Sequence, residues 1–216
     1  MIQIGCKPID ELIGGELPNK VISQFYGPSG TGKTNICLHT LSKVAAKKKV
    51  VFIDTEGGFS EKRLKQIAGS DFDKVVANTL LFEPTNFEEQ SRCIDKIKEI
   101  QGASLIIVDS MAALYRLELS QEKYQETNRE LGRQLSSLLA IARKSNIPVL
   151  ITNQVYTDIN TGSTESVGGD ILRYNSKVIL ELQKHGPGMR KARIKKHICK
   201  KEDDEALFTI VEKGIQ

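Results

Sequence analysis

The stretch "QFYGPSGTGKTNICLH", residues 24–39, constrains the fold of this chain more than any other. It reads G-x-x-x-x-G-K-[ST] at Gly27, Gly32, Lys33 and Thr34, with "ISQFY" before it as a strand and "TNICLHTLSKVAA" after it as a helix. Glycines at those positions let successive backbone N–H groups turn toward one point, and the N-terminus of the following helix adds its positive end there. Such a nest suits the phosphates of a nucleoside triphosphate. Lys33 is expected to reach the β and γ oxygens and the Thr34 hydroxyl to ligate Mg2+. Gly27, Pro28, Ser29, Gly30, Thr31, Gly32, Lys33, Thr34 and Asn35 are the expected phosphate-binding residues. A chance match in a chain of this length is on the order of one in a hundred, before the flanking strand and helix are counted.

The rest of the chain alternates in the way such a loop requires. "VVFID" (50–54), "LLFE" (80–83), "LIIVD" (105–109) and "PVLITNQ" (148–154) are short, nearly continuous apolar runs, as parallel strands buried on both faces are. Helical patterns lie between them. "NFEEQSRCIDKIKEI" places Phe87, Cys93, Ile97 and Ile100 near one stripe, and "NRELGRQLSSLLAIARKS" does the same with Leu131, Leu135, Leu138 and Ala142. Strand and helix taking turns implies right-handed βαβ units. After residue 175, "KVILELQ", "RKARIKKHI" and "ALFTIVE" follow one another without a helix, and "HGPG" signals a turn. The expected fold class is α/β, a mostly parallel twisted sheet with helices on both faces and a C-terminal antiparallel meander. One domain over residues 1–216 is expected, with no N-terminal helical DNA-binding domain.

Three strand ends add chemistry to the loop. Asp109 closes "LIIVD", where a carboxylate holds Mg2+ beside Thr34. Glu56 lies just past "VFID", placed to orient and deprotonate an attacking water. Gln154 ends "ITNQ" as a neutral side chain able to sense a γ-phosphate. Lys33, Glu56 and Gln154 are thus the expected catalytic residues, and Thr34 and Asp109 the metal ligands, of a nucleoside triphosphatase.

Composition limits the setting. No run of about 18 apolar residues could span a bilayer, and "MIQIGCKPID" lacks the regions of a secretory signal, so a cytoplasmic protein without a membrane partner is expected. Cys6, Cys37, Cys93 and Cys199 contain no C-x-x-C pair and are expected to be reduced and mostly buried. The net charge of +4 hides a division: residues 183–201, "QKHGPGMRKARIKKHICKK", hold eight Lys or Arg and no acid, which leaves the remainder net negative. A local basic stretch on an acidic body suits a polyanion. Read with period two, Lys191, Arg193, Lys195 and His197 fall on one face of "RKARIKKHI" and Ala192, Ile194 and Ile198 on the other. Lys191, Arg193, Lys195 and Lys196 are the candidate phosphate-backbone contacts, with Tyr156 as the stacking candidate.

"GCKPIDELIGGELPNKVISQFYGPSGTGKT", "VFIDTEGGFSEKRL", "LIIVDSMAALYR" and "PVLITNQV" resemble, in order and spacing, the ATPase core of the RecA/RadA family of DNA recombinases. The match covers nearly the whole chain and is nearest to archaeal members that consist of the core alone. The resemblance implies a RecA-type fold, ATP with Mg2+, Glu56 as catalytic carboxylate, and Gln154 as the link from the γ-phosphate to a DNA-binding loop. It also implies homologous recombination and DNA repair, single- and double-stranded DNA as partners, a RadA-type recombinase as protein partner, and Arg63 at the adenine face.

The departures from the family pattern shape the functional expectation. No Phe-x-x-Ala docking segment occurs in the sequence. The first DNA loop, expected after "ALYR", reads "LELSQEKYQETNRE", with four Glu against Lys123 and Arg129. The second, residues 155–167, has no Lys or Arg. "CKKEDDEALF" stands where recombinases carry a Pro-containing segment that closes over a neighbour's nucleotide. A slow ATPase acting as a recombinase mediator, monomeric or in a small oligomer, is expected; a full strand-exchange enzyme and a KaiC-like signalling ATPase are the alternatives.

Overall fold

The structure, a computed structural model, describes residues 1–157 and 164–216, with residues 156, 157 and 164–166 described for their backbone alone. In α1 (Lys7–Leu12) a proline stands in the first turn, where its missing N–H costs nothing. The Asp10 carboxylate accepts from the Ile4 and Gly5 N–H groups at 2.8 and 3.0 Å and holds the N-terminal segment against this helix. β1 (Ile22–Tyr26) and α2 (Lys33–Ala45) flank the glycine loop. β2 (Lys49–Asp54) leads to α3 (Glu61–Ala68), whose Ser60 cap accepts from the Arg63 N–H, then a 3-10 turn and α4 (Phe72–Ala77). β3 (Thr79–Phe82) and α5 (Phe87–Ile97) follow, the latter capped by Asn86, which accepts from the Glu89 N–H at 2.9 Å. β4 (Ala103–Asp109), α6 (Ala113–Glu118), α7 (Tyr124–Ser145) and β5 (Val149–Asn153) complete the alternating part. A small antiparallel pair, β6 (Val155–Thr157) and β7 (Thr164–Ser166), precedes α8 (Gly169–Asn175). The chain ends in β8 (Ser176–Lys184), β9 (Met189–Lys196), β10 (Glu205–Val211) and β11 (Gly214–Ile215).

One nine-stranded sheet runs in the order β11-β10-β9-β8-β1-β5-β4-β2-β3. Pairing is parallel from β3 through β8 and antiparallel beyond, so the expected meander is present and joins the parallel part through β8 beside β1. Alternate residues of each strand feed opposite faces. Leu105 and Ile107 of β4 join Ile36, Leu38, Leu41, Leu64 and Val75 on the face covered by α2, α3 and α4. Ile106 and Val108 join Ile94, Leu131, Leu135 and Leu138 on the face covered by α5 and α7. Both faces are dry, which is why these strands read as unbroken apolar runs.

The α5 stripe differs from expectation. Phe87 and Ile97 are buried, but Ile94 takes the place given to Cys93, which is only half-buried, and Ile100 lies beyond the helix. Gln90 and Ser91 are buried as well; Gln90 Nε2 donates to Gln134 Oε1 at 2.8 Å and to the Met111 carbonyl at 3.1 Å, so a paired amide fills the stripe. The cysteines are all free, yet only Cys6 and Cys37 are buried, while Cys199 is exposed. The segment expected as a first DNA loop is mostly helix: α6 ends at Glu118 and α7 starts at Tyr124, leaving residues 119–123 between them. The Glu spacing there serves helix surfaces rather than a loop.

Candidate nucleotide-binding site

In this strand order β1, β5, β4 and β2 are consecutive neighbours, so their C-terminal ends meet along one edge of the sheet. The glycine loop leaves β1, Gln154 follows β5, Asp109 ends β4, and Glu56 lies two residues past β2. All four elements expected at the site are therefore brought together.

Gly30 and Gly32 adopt φ of +77° and +96°, values a side chain would resist, and Gly32 caps α2. The Thr31 hydroxyl donates to the Pro28 carbonyl at 2.8 Å. Lys33 is buried, and its Nζ donates to the Gly27 and Pro28 carbonyls at 2.7 and 3.0 Å. Burial pushes the Lys33 amine down from its usual range, while the Glu56 and Asp109 carboxylates favour its charged form. Ser29 is exposed on the loop's outer surface.

Asp109 is 4% exposed, and burial pushes its carboxyl up. The Thr152 hydroxyl donates to it, and Thr152 and the nearby Thr34 hydroxyl both favour the carboxylate. A hydroxyl and a carboxylate near each other are hard oxygen donors, the kind Mg2+ takes when substrate phosphates and water complete its shell. Among the described residues no group of three or more His, Cys, Asp or Glu could hold a metal ion. The Asp109–Ser110 peptide is cis. Thr55 fastens this turn: its hydroxyl donates to the Ser110 carbonyl at 2.6 Å and accepts from the Ser110 N–H at 2.9 Å.

Gln154 Nε2 donates to Glu56 Oε1 at 2.8 Å, so the two side chains form one unit. Asp54, which sequence reading passed over, shapes the loop carrying Glu56. Its carboxylate accepts from the N–H groups of Glu56, Gly58 and Phe59 at 3.1, 3.1 and 2.7 Å. The signal was present as an Asp two residues before "EGG", an Asx-turn pattern. A cleft of about 470 Å³ opens beside the pair, lined by Thr55, Glu56, Arg116, Leu117, Asn153 and Gln154 among others.

Two groups make contacts that the sequence did not show. Arg63 Nε donates to Asn35 Oδ1 at 2.8 Å, and its Nη atoms donate to the Val211 and Glu212 carbonyls, both at 2.7 Å. It staples α3 and α2 to the C-terminal turn. The face of β9 is not a free cationic one. Lys191 pairs with Glu205 at 3.1 Å, Arg193 with Glu205 at 2.9 Å and Asp203 at 3.4 Å, and Lys195 with Asp203 at 3.8 Å. The acids of "EDDE" sit across the β9–β10 connection and neutralise that face. His197 leaves it to contact the Ile13 carbonyl at 3.1 Å, and Ile198 is 55% exposed instead of packed. Lys196 points the other way, donating to the Arg173 carbonyl at 2.8 Å; burial lowers its pKa, and the charges of Lys177 and Arg173 lower it further. The Tyr156 side chain lies outside the described residues.

Strand order, glycine loop and the carboxylates behind it define a RecA-type P-loop nucleotide-binding core. The family model described as Rad51 matches residues 1–216, and the chain belongs to the Rad51 family, whose members are ATPases. It is 44% identical over 215 residues to the DNA repair and recombination protein RadB of Methanococcoides burtonii, covering 98% of this chain and 95% of that one. Identity to the RadB of Thermococcus gammatolerans is 42%, over 100% and 98% of the two chains. A solved structure titled "Crystal structure of the RadB recombinase" superposes with a TM-score of 0.86 at 39% identity, covering 100% of this chain and 98% of that one.

Proposed function

We propose that this single RecA-type core binds ATP with Mg2+, hydrolyses it slowly, and uses nucleotide state to adjust its grip on DNA in recombination and repair. It would act in the cytoplasm as a mediator for a RadA-type recombinase, itself a monomer or small oligomer. The observation that carries the reading is Gln154. Its side chain holds Glu56 at the phosphate edge, and its backbone carbonyl accepts from the Val167 N–H at 3.0 Å, beyond the segment resembling a DNA loop. A change at the γ-phosphate would thus be felt by that segment.

In this reading Lys33 exchanges the Gly27 and Pro28 carbonyls for phosphate oxygens, and Thr34 and Asp109 hold Mg2+. Bound Mg2+ supplies charge neutralisation at those oxygens. Glu56 orients the water and takes its proton, with the Gln154 amide fixing the carboxylate.

The DNA contact moves away from the neutralised face of β9. Arg173, Lys177 and Lys196 are close together with no ion pair among the described residues, and Tyr174 beside them is 82% exposed. Cations that repel one another suit a phosphate chain, and an exposed ring suits a base. DNA affinity measured against salt, with and without MgATP, tests this. Replacing Arg173, Lys177 and Lys196 by Ala should flatten the log–log salt slope by roughly 2, at about 0.7 per lost single-strand phosphate contact. MgATP should shift wild-type affinity about fivefold or more. An unchanged slope removes the assigned contact, and an affinity indifferent to MgATP removes the coupling.

A further inference from the structure

The hairpin between β8 and β9 reaches the phosphate loop from outside. Arg190 Nε donates to the Gly30 carbonyl at 2.9 Å, and its Nη1 donates to the Met189 carbonyl at 2.9 Å, which fixes the guanidinium. Lys184 stands directly across the pair from Arg190, and a Cβ on Gly30 would lie 3.2 and 3.3 Å from the Lys184 Cε and Nζ. Two cations facing each other across an antiparallel pair repel. Neither has an ion-pair partner among the described residues, whereas Lys191, Arg193 and Lys195 further along β9 all do.

The loop's carbonyls explain what such a contact does. Gly27 and Pro28 carbonyls are taken from within by Lys33 and Thr31; the Gly30 carbonyl is taken from outside by Arg190. In a planar trans peptide the C=O and the next N–H point in opposite directions. Holding the Gly30 carbonyl outward therefore turns the Thr31 N–H the other way, where it donates to the Pro28 carbonyl at 3.4 Å, a long bond that a phosphate oxygen can replace.

We propose that Arg190 is a positioning residue for nucleotide binding: with Lys184 it forms a cationic clamp, supplied by the same chain, that orients the Gly30–Thr31 peptide. The inference rests on the nucleotide reading above and deepens it. Through this clamp the β8–β9 hairpin and the phosphate loop share one equilibrium, so nucleotide binding protects the hairpin and the hairpin supports nucleotide binding.

The test is MgATP affinity of the full chain, by titration with a fluorescent ATP analogue, together with amide hydrogen exchange of residues 184–190. Arg190→Ala should weaken affinity roughly tenfold, the scale of a lost charged hydrogen bond. Arg190→Lys, which keeps one donor, should recover part of that loss. Lys184→Ala should weaken it about two- to threefold at low salt, with the difference fading at high salt. In wild type MgATP should slow exchange across the hairpin, and in Arg190→Ala it should not, even at saturating nucleotide. A merely structural Arg190 would lower the melting temperature while leaving that nucleotide-dependent protection intact. If wild type binds ATP and Arg190→Ala binds within twofold of it, or if MgATP leaves hairpin exchange unchanged in wild type, the clamp is overturned. If wild type itself does not bind ATP, the underlying reading has failed instead.

Discussion

At the scale of single residues, Asp54 decides where Glu56 stands. It is 2% exposed, and its carboxylate serves three backbone N–H groups of the turn that follows β2. Asp54→Ala would leave all three without an acceptor, and each unsatisfied buried donor costs about 1 to 3 kcal/mol. Because the three are only partly buried, a loss of about 2 to 4 kcal/mol is expected in urea unfolding, with hydrolysis falling more than ATP affinity. Stability within about 0.5 kcal/mol of wild type would show that the turn holds without it. Positions at this scale were partly legible. Lys33, Thr34, Glu56, Asp109 and Gln154 could be placed because a strand end fixes a side chain's position whatever the rest does. The contacts of Arg63 could not, since its carbonyl acceptors are 148 and 149 residues away and nothing local marks them.

At the scale of elements, the sequence is clearest where burial is two-sided. Three of the four apolar runs became β2, β4 and β5, covered on both faces, while the fourth became β3, an edge strand that is only partly buried. It is least clear where a surface decides. Residues 125–130 at the start of α7 include no apolar residue, so no periodicity marked the helix although Gln and Glu favour one, and the pairing of β9 cations with Asp203 and Glu205 depends on strand register that periodicity does not give. The sheet ends also differ. β11 has two residues and offers little to pair with, whereas β3 has four and, among the described residues, no strand on its outer side, with Leu81 of β3 36% exposed. An extended peptide can add to such an edge, with backbone bonds giving affinity and apolar side chains specificity. A synthetic Phe-x-x-Ala peptide of recombinase-linker type should therefore bind, and Leu81→Glu should weaken binding tenfold or more by calorimetry. Binding that is absent, or unaffected by Leu81→Glu, would move the partner surface elsewhere.

At the scale of the molecule, the site exists only because the strand order collects four chain segments more than 120 residues apart at their extremes. Binding and hydrolysis are assigned to different segments of that edge: Lys33 with Thr34 at the start of α2, Glu56 on the loop after β2. The arrangement makes the two activities separable, which a simple phosphate-binding loop would not be. Turnover is expected well below the ordinary range of about 1 to 1,000 per second. The most direct measurement is ATP affinity and single-turnover hydrolysis on wild type, Lys33→Ala and Glu56→Gln side by side. Lys33→Ala should lose binding, and Glu56→Gln should bind ATP within a few-fold of wild type while hydrolysis falls by about a hundredfold or more. Equal loss of binding in both variants, or a Glu56→Gln variant that hydrolyses ATP at the wild-type rate, would contradict the account.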